Sequence, residues 1–167
     1  MNFSLLPKIQ TPALTDITPS HLESRGISVL MLDFDNTIVP YTTDVPTEKM
    51  ALWLENIKNS AITVCVVSNS RNDRVLRFCQ QWGIDCITRA KKPSTRGIRK
   101  CMERNGAKPE QCALVGDQIF TDTLGANCAG VTSVLVDAID NHNIWLKLRH
   151  VAEMPFIFLA RKRRLML

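Results

Sequence analysis

ISVLMLDFDNT (residues 27–37) is the stretch whose reading decides the architecture. It opens as a strand-length apolar run, β-branched at its start, with no alternation of apolar and polar positions. Runs of this kind belong to strands covered on both faces, as in a parallel sheet. The run then breaks into two carboxylates, an amide and a hydroxyl.

Working outward, the same pattern recurs at residues 61–67 (AITVCVV), 85–88, 112–115 and 131–136. Between these runs lie stretches with helical spacing. Residues 47–59 follow Pro46 and place Met50, Leu54 and Ile57 on one stripe. Residues 72–82 do the same with Val75, Phe78, Cys79 and Trp82, and residues 94–105 and 119–129 complete the set. Strand alternating with helix predicts an α/β fold with a doubly wound, Rossmann-like parallel sheet. In such sheets ligands collect beyond the carboxyl ends of the strands, so the chemically unusual residues are expected there. Residues 1–26, with Pro7, Pro12 and Pro19, read as an extended N-terminal arm with at most a short helix before Gly26. Residues 27–140 read as the core and 141–167 as a C-terminal tail.

The 167 residues, 45% apolar and 22% charged, suffice for one domain with a real core and exclude wholesale disorder. No apolar run approaches the roughly 20 residues of a spanning helix, and MNFSLLPKIQ lacks the make-up of a secretion signal. Six cysteines without a CxxC pair read as reduced thiols, with Cys65 and Cys112 as small core residues in a cytoplasmic protein. The net charge of +5 is confined to the tail. Residues 1–140 carry fifteen basic and fifteen acidic side chains, and residues 141–167 carry six basic ones against Glu153.

Each strand delivers a polar group at its end. Asp33 and Asp35, two apart on what reads as an extended segment, point the same way and resist joint ionisation unless a cation sits between them, most simply Mg²⁺. A solvated turn is the bland alternative. Ser68-Asn69-Ser70 offers a hydroxyl and backbone N–H groups to a phosphate oxygen, or simply a helix cap. Lys92, held extended by Pro93, offers a positive charge, or is a surface lysine. Gly116-Asp117 supplies a tight turn and another carboxylate, with Asp122 five residues on as a supporting group or an ordinary helix residue. Individually modest, the four signals together make a set of parts for phosphoryl transfer.

On DFDNT at 33–37, Ser68 within VSNS, Lys92 within KKP and GDQIFTD at 116–122, the sequence resembles the haloacid dehalogenase (HAD) superfamily of aspartate-nucleophile phosphatases. LLP near the start, DFDNTIVP, SNS and GDQIFTD make it similar to the YqeG-type subfamily IIIA, which includes mitochondrial phosphatidylglycerophosphate phosphatases. The resemblance implies that Asp33 attacks phosphorus and Asp35 serves as acid and then base. It implies a Mg²⁺ ion held by Asp33, the Asp35 carbonyl and Asp117. Ser68, with Asn69, and Lys92 would then bind the phosphoryl oxygens. Asp122 would orient Lys92 or a metal-bound water, and Thr37 would fix the loop.

In the superfamily, cap domains are inserted between the first and second motifs or between the second and third. Residues 34–67 and 69–91 have room only for core elements, so the site is expected to be capless and open, suited to a phosphate on something large. The tail joins an apolar segment, MPFIFLA at 154–160, to RKRR at 161–164, which matches peripheral contact with an anionic membrane. Packing on the core or, less in keeping, a nucleic-acid patch are the other readings of that tail. Phosphatidylglycerophosphate is accordingly the favoured substrate. A soluble metabolite, protein or nucleic-acid end is the enzymatic alternative. A phosphoacceptor signalling module or a binder of anionic surfaces is the alternative from another class.

Overall fold

In the computed structural model, which describes residues 3–71 and 73–140 together with Pro155, the expected parallel sheet forms and gains a sixth strand. In chain order the elements are β1 (Ile9–Gln10), α1 (Pro19–Glu23), β2 (Val29–Leu32), α2 (Glu48–Lys58), β3 (Thr63–Val67), α3 (Asp73–Trp82), β4 (Asp85–Ile87), α4 (Arg96–Arg104), β5 (Cys112–Gly116), α5 (Leu124–Ala129) and β6 (Thr132–Leu135). The strands lie in the order β1-β6-β5-β2-β3-β4, and every neighbouring pair is parallel. Val29 is in register with Thr63 on one side and Cys112 on the other, so β2 is central. From β2 the chain builds outward to β3 and β4, then crosses back to lay β5 and β6 on the other side. That reversal between β2 and β5 opens a crevice beyond the strand ends.

The unbroken apolar runs follow from two cores. Leu30, Leu32, Val64, Val66, Ala113 and Val115 face one cluster, and Val29, Met31, Cys65, Val67, Cys112 and Leu114 face the other. Each fully buried Val, Leu or Ile contributes about 1.5–3 kcal/mol, so alternate positions of one strand stabilise opposite faces. Trp53, Leu54 and Ile57 of α2 and Val75 and Phe78 of α3 cover the first face. Ile98, Cys101 and Met102 of α4 and Ala126 of α5 cover the second. Helix α2 starts where expected because the Thr47 hydroxyl accepts from Met50 N–H (3.3 Å).

Within the N-terminal arm, residues 9–22 pack on the core. Ile9 and Gln10 pair with Val134 and Leu135 at the sheet edge, and Ile9, Leu14, Ile17 and Leu22 join the first core cluster. The indole N–H of Trp53 donates to Ile17 O (2.6 Å), tying this segment to α2. The helix expected over 119–129 begins as one wide π turn, Ile119–Thr123, before α5 proper. Asn72, the tail and the membrane-contact reading of residues 141–167 lie outside the described residues, Pro155 apart. Among the described residues no helix is long and apolar enough to cross a membrane. All six cysteines are free, with Cys65, Cys79, Cys101 and Cys112 buried; burial pushes the Cys112 thiol up to about 11.

Candidate active site

Asp33 is the first residue beyond β2, and its N–H still donates to Val115 O (2.9 Å), continuing the ladder to β5. Its position is therefore set by the sheet. The Lys92 ammonium donates to Asp33 Oδ1 (2.6 Å) and lies 2.7 Å from Asp122 Oδ1. Asp33, Asp117 and Asp122 bring one carboxylate oxygen each within 4.8 Å of one another, and all three residues are buried. Three carboxylates and one ammonium leave two net negative charges out of water. Such an excess is costly unless a cation compensates it, so the donor set fits a divalent ion that prefers oxygen.

The pair chemistry follows from burial. Burial alone would pull the Lys92 ammonium down, but Asp122 and Asp33 outweigh it and hold the lysine above its ordinary range, hence charged. Burial raises the Asp122 carboxyl to about 6 against the pull of Lys92. Asp122 is held at its other oxygen too, where Oδ2 accepts from Gln118 N–H (3.2 Å). The π turn carries Asp122 onto Gly116. A Cβ on Gly116 would stand 2.6 Å from Asp122 Cβ, so glycine is required there by close approach rather than by the tight turn expected from sequence.

Asp35 behaves differently from its neighbour two residues away. From Asn36, at a φ of 62°, the chain folds back, with Ile38 N–H donating to Phe34 O (3.0 Å). Asp33 and Asp35 both line one cavity, but only the Asp33 carboxylate belongs to the three that could share a cation. The Asp35 side chain pairs with Arg74 Nη2 (2.9 Å) and stays outside the group of three carboxylates. Burial raises its carboxyl above the usual range, with Arg74 pulling the other way.

The loops after β3 and β4 lock together. Ser68 Oγ accepts from Ser70 N–H (3.0 Å), while Ala90 N–H donates to Ser68 O (3.0 Å). The Asn69 side chain accepts from Lys92 N–H (2.6 Å) and donates to Lys92 O (2.9 Å). That side-chain amide clamps the backbone of the lysine, while Asn69 also lines the cavity. Lys91 is exposed and Lys92 buried, so only the second of the two lysines belongs to the site. Thr37 is buried, yet its hydroxyl has no hydrogen-bond partner among the described residues, so backbone bonds rather than this side chain hold the turn.

Asp33, Asp35, Ser68, Asn69 and Lys92 line one cavity of about 180 Å³. Asp117 and Asp122 stand behind it, beside Asp33. Tyr41, Ser70, Gln118 and Thr121 complete the lining, and Arg74 grips Asp35 from α3. Of these, sequence reasoning named Ser70, within Ser68-Asn69-Ser70, and did not single out the other four. Gln118 and Thr121 lie inside a motif already quoted, which was a signal of sorts. Arg74 had none, because a cation in the first turn of a polar helix face reads as solvated. Residues 34–67 hold α2 and β3, and residues 69–91 hold α3 and β4, with no inserted domain.

Comparison with known proteins agrees with this geometry. The family model described as Mitochondrial PGP phosphatase matches residues 2–139. Probable phosphatase YqeG of Bacillus subtilis is 35% identical over 120 residues, 72% of this chain and 70% of that protein. Among solved structures, the cobalt-bound deoxy-D-mannose-octulosonate 8-phosphate phosphatase of Haemophilus influenzae superposes with a TM-score of 0.54 at 17% identity, covering 75% of each chain. The 3-deoxy-D-manno-octulosonate 8-phosphate phosphatase of Moraxella catarrhalis, in complex with magnesium, phosphate and KDO, gives 0.51 at 15% identity, covering 85% of this chain and 96% of that one. At such identities these two speak for the fold, and the family model and the Bacillus relative speak for the lineage. The chain belongs to the mitochondrial PGP phosphatase family and is a HAD-type phosphatase of the YqeG kind.

Proposed function

We propose that the protein is a Mg²⁺-dependent phosphomonoesterase that works through an aspartyl-phosphate and takes phosphatidylglycerophosphate, a phosphate displayed at a lipid surface. The observation that carries the chemistry is the buried Asp33–Lys92–Asp122 chain beside Asp117 at the sheet's switch point, opening on a cavity lined by Ser68. Asp33 and Asp117 would hold the ion, with the Asp35 carbonyl, because both Asp122 oxygens are engaged by Lys92 and Gln118. When bound, Mg²⁺ shields the nucleophile from the dianionic ester.

In the first step the Asp33 carboxylate forms a bond to phosphorus as the ester P–O bond breaks, and Asp35 gives its proton to the departing oxygen. The raised Asp35 carboxyl suits a donor. In the second, Asp35 takes a proton from water as that water attacks phosphorus, and the bond to Asp33 breaks to release phosphate. Ser68 and Lys92 stabilise the charge on the transferring oxygens. Lys92 is prepared for this by two carboxylates that keep it charged and by the Asn69 clamp on its backbone.

The size of the cavity supports a large substrate. Pockets for drug-sized ligands run to about 300–1,000 Å³, so about 180 Å³ admits the phosphoryl group and leaves the rest of the molecule outside. A phosphate at a vesicle surface meets that requirement, and the family description points to phosphatidylglycerophosphate. The test is phosphate release from vesicles carrying this lipid and from soluble esters, with Mg²⁺ or with chelator. Release above an Asp33→Asn control only with Mg²⁺ and preferentially from vesicles is expected. Release from soluble esters alone would remove the lipid assignment, and no release above the control would remove the mechanism.

A further inference from the structure

Arg74 makes a three-way contact that the phosphatase motifs do not account for. From the first turn of α3 its Nη2 lies 2.9 Å from Asp35 Oδ1 and donates to Pro40 O (3.0 Å), while Nη1 donates to Tyr41 O (2.8 Å). The guanidinium lies over the Phe34 ring, with Cζ 5.0 Å from the ring centroid. That ring is held edge-on by Phe78 from the core at 5.2 Å. Both charged side chains are mostly shielded, Arg74 at 16% and Asp35 at 18% exposure. One rigid planar fork thus ties the proton donor to the loop whose Tyr41 borders the cavity. A lysine could reach one of these acceptors but could not span three and stack as well.

We propose that Arg74 is a positioning residue that aims Asp35 at the leaving-group oxygen and fixes the Tyr41 side of the cavity mouth around it. The proposal rests on Asp35 being the acid of the reading above. The strands hold Asp33 and Asp117, but Asp35 lies on a folded-back turn, and Arg74 is the side-chain cation that fixes its carboxylate. Misplacement of a catalytic group by about 1 Å costs on the order of 10²-fold in rate. The loss should fall on the step that needs a proton. An alkoxide cannot depart without one, whereas a nitrophenolate can.

The experiment compares kcat/KM, which reports formation of the aspartyl-phosphate, for β-glycerophosphate and p-nitrophenyl phosphate at saturating Mg²⁺. Arg74→Gln should lower the alkyl value about 100-fold and the aryl value less than about tenfold. Arg74→Lys should recover part of the alkyl loss, since it restores charge without the fork. Thermal melts report whether each variant is folded, and if Arg74→Gln is not, Arg74→Lys carries the same comparison. Equal losses on both esters, no loss, or a rise in KM with kcat unchanged overturns the positioning role. Wild-type protein inactive on both esters and on phosphatidylglycerophosphate vesicles overturns the hydrolase mechanism, and this proposal with it. If vesicles alone are turned over, the variants are compared on them, and a loss below about tenfold for Arg74→Gln overturns the positioning role.

Discussion

Asp33 and Asp35 stand two residues apart and are paired with different cations. Lys92, on the loop after β4, meets Asp33 within a cluster that also holds Asp117 and Asp122. Arg74, from a helix, meets Asp35 on a turn that has left the sheet. The inner cluster is placed by main-chain contacts, a ladder bond at Asp33, a π turn at Asp122 and the Asn69 clamp on Lys92, and is buried. The outer pair is placed by side-chain contacts and a stacked ring, and keeps contact with solvent. Rigid backbone thus holds the groups that must meet phosphorus and metal. A guanidinium fork from a helix holds the group that must give up and regain a proton.

The widest separation between the two regions should be catalytic. Asp33→Asn removes the nucleophile and is expected to lower kcat by about 10⁴-fold or more on every ester. Asp35→Asn should cost about 10²–10⁴-fold and leave a burst of nitrophenol from p-nitrophenyl phosphate, because the first step survives better than the second. Rapid-quench kinetics checks this, and a burst from the Asp33 variant would break the assignment of roles.

Stability should separate them next. Lys92→Met leaves Asp33 and Asp122 facing each other without their cation, and losing one partner of a buried ion pair costs about 3–5 kcal/mol. Urea melts in chelator should show that loss, and Mg²⁺ should return part of it. A change below about 1 kcal/mol would mean that the inner cluster is better hydrated than its burial implies. Gly116→Ala drives a methyl group into Asp122 and should cost about 1–3 kcal/mol with reduced activity.

The smallest effect is the dependence on pH. The Asp122 carboxyl, raised to about 6 by burial, holds its proton more tightly folded than unfolded. Its contribution to stability is therefore complete below the ordinary value of 3.8 for an aspartate and is lost as pH rises through about 6. A divalent ion works the other way, because it needs the surrounding carboxylates ionised. The rise in Tm on adding Mg²⁺ should be small at pH 5 and larger at pH 7.5. An equal rise at both would place the ion away from this cluster.

Much of this was readable before any coordinates. Residues 29–32, 63–67 and 112–116 are apolar at every position but few because both faces are covered, and such runs announce a parallel sheet. Asp33, Ser68, Lys92 and Asp117 each follow a strand, and parallel strands bring their carboxyl ends to one edge whatever the details. The strand at Ile9–Gln10 was not readable. Two residues between prolines carry no pattern, and they become a strand only because β6 offers a free edge. Asp122 was legible as a supporting group, but not as one of three clustered carboxylates, since the π turn that delivers it has no sequence signature.

Local order along the chain therefore settled the fold class and four of the polar groups, because strand length, periodicity and strand-end position are properties of neighbouring residues. Folding in three dimensions decided who meets whom. It paired Asp35 with Arg74, turned the Asn69 amide onto Lys92 and brought Asp122 against Gly116. Those pairings join residues up to tens of positions apart through turns whose dihedral angles no local pattern specifies, and they set the charge balance on which the chemistry depends.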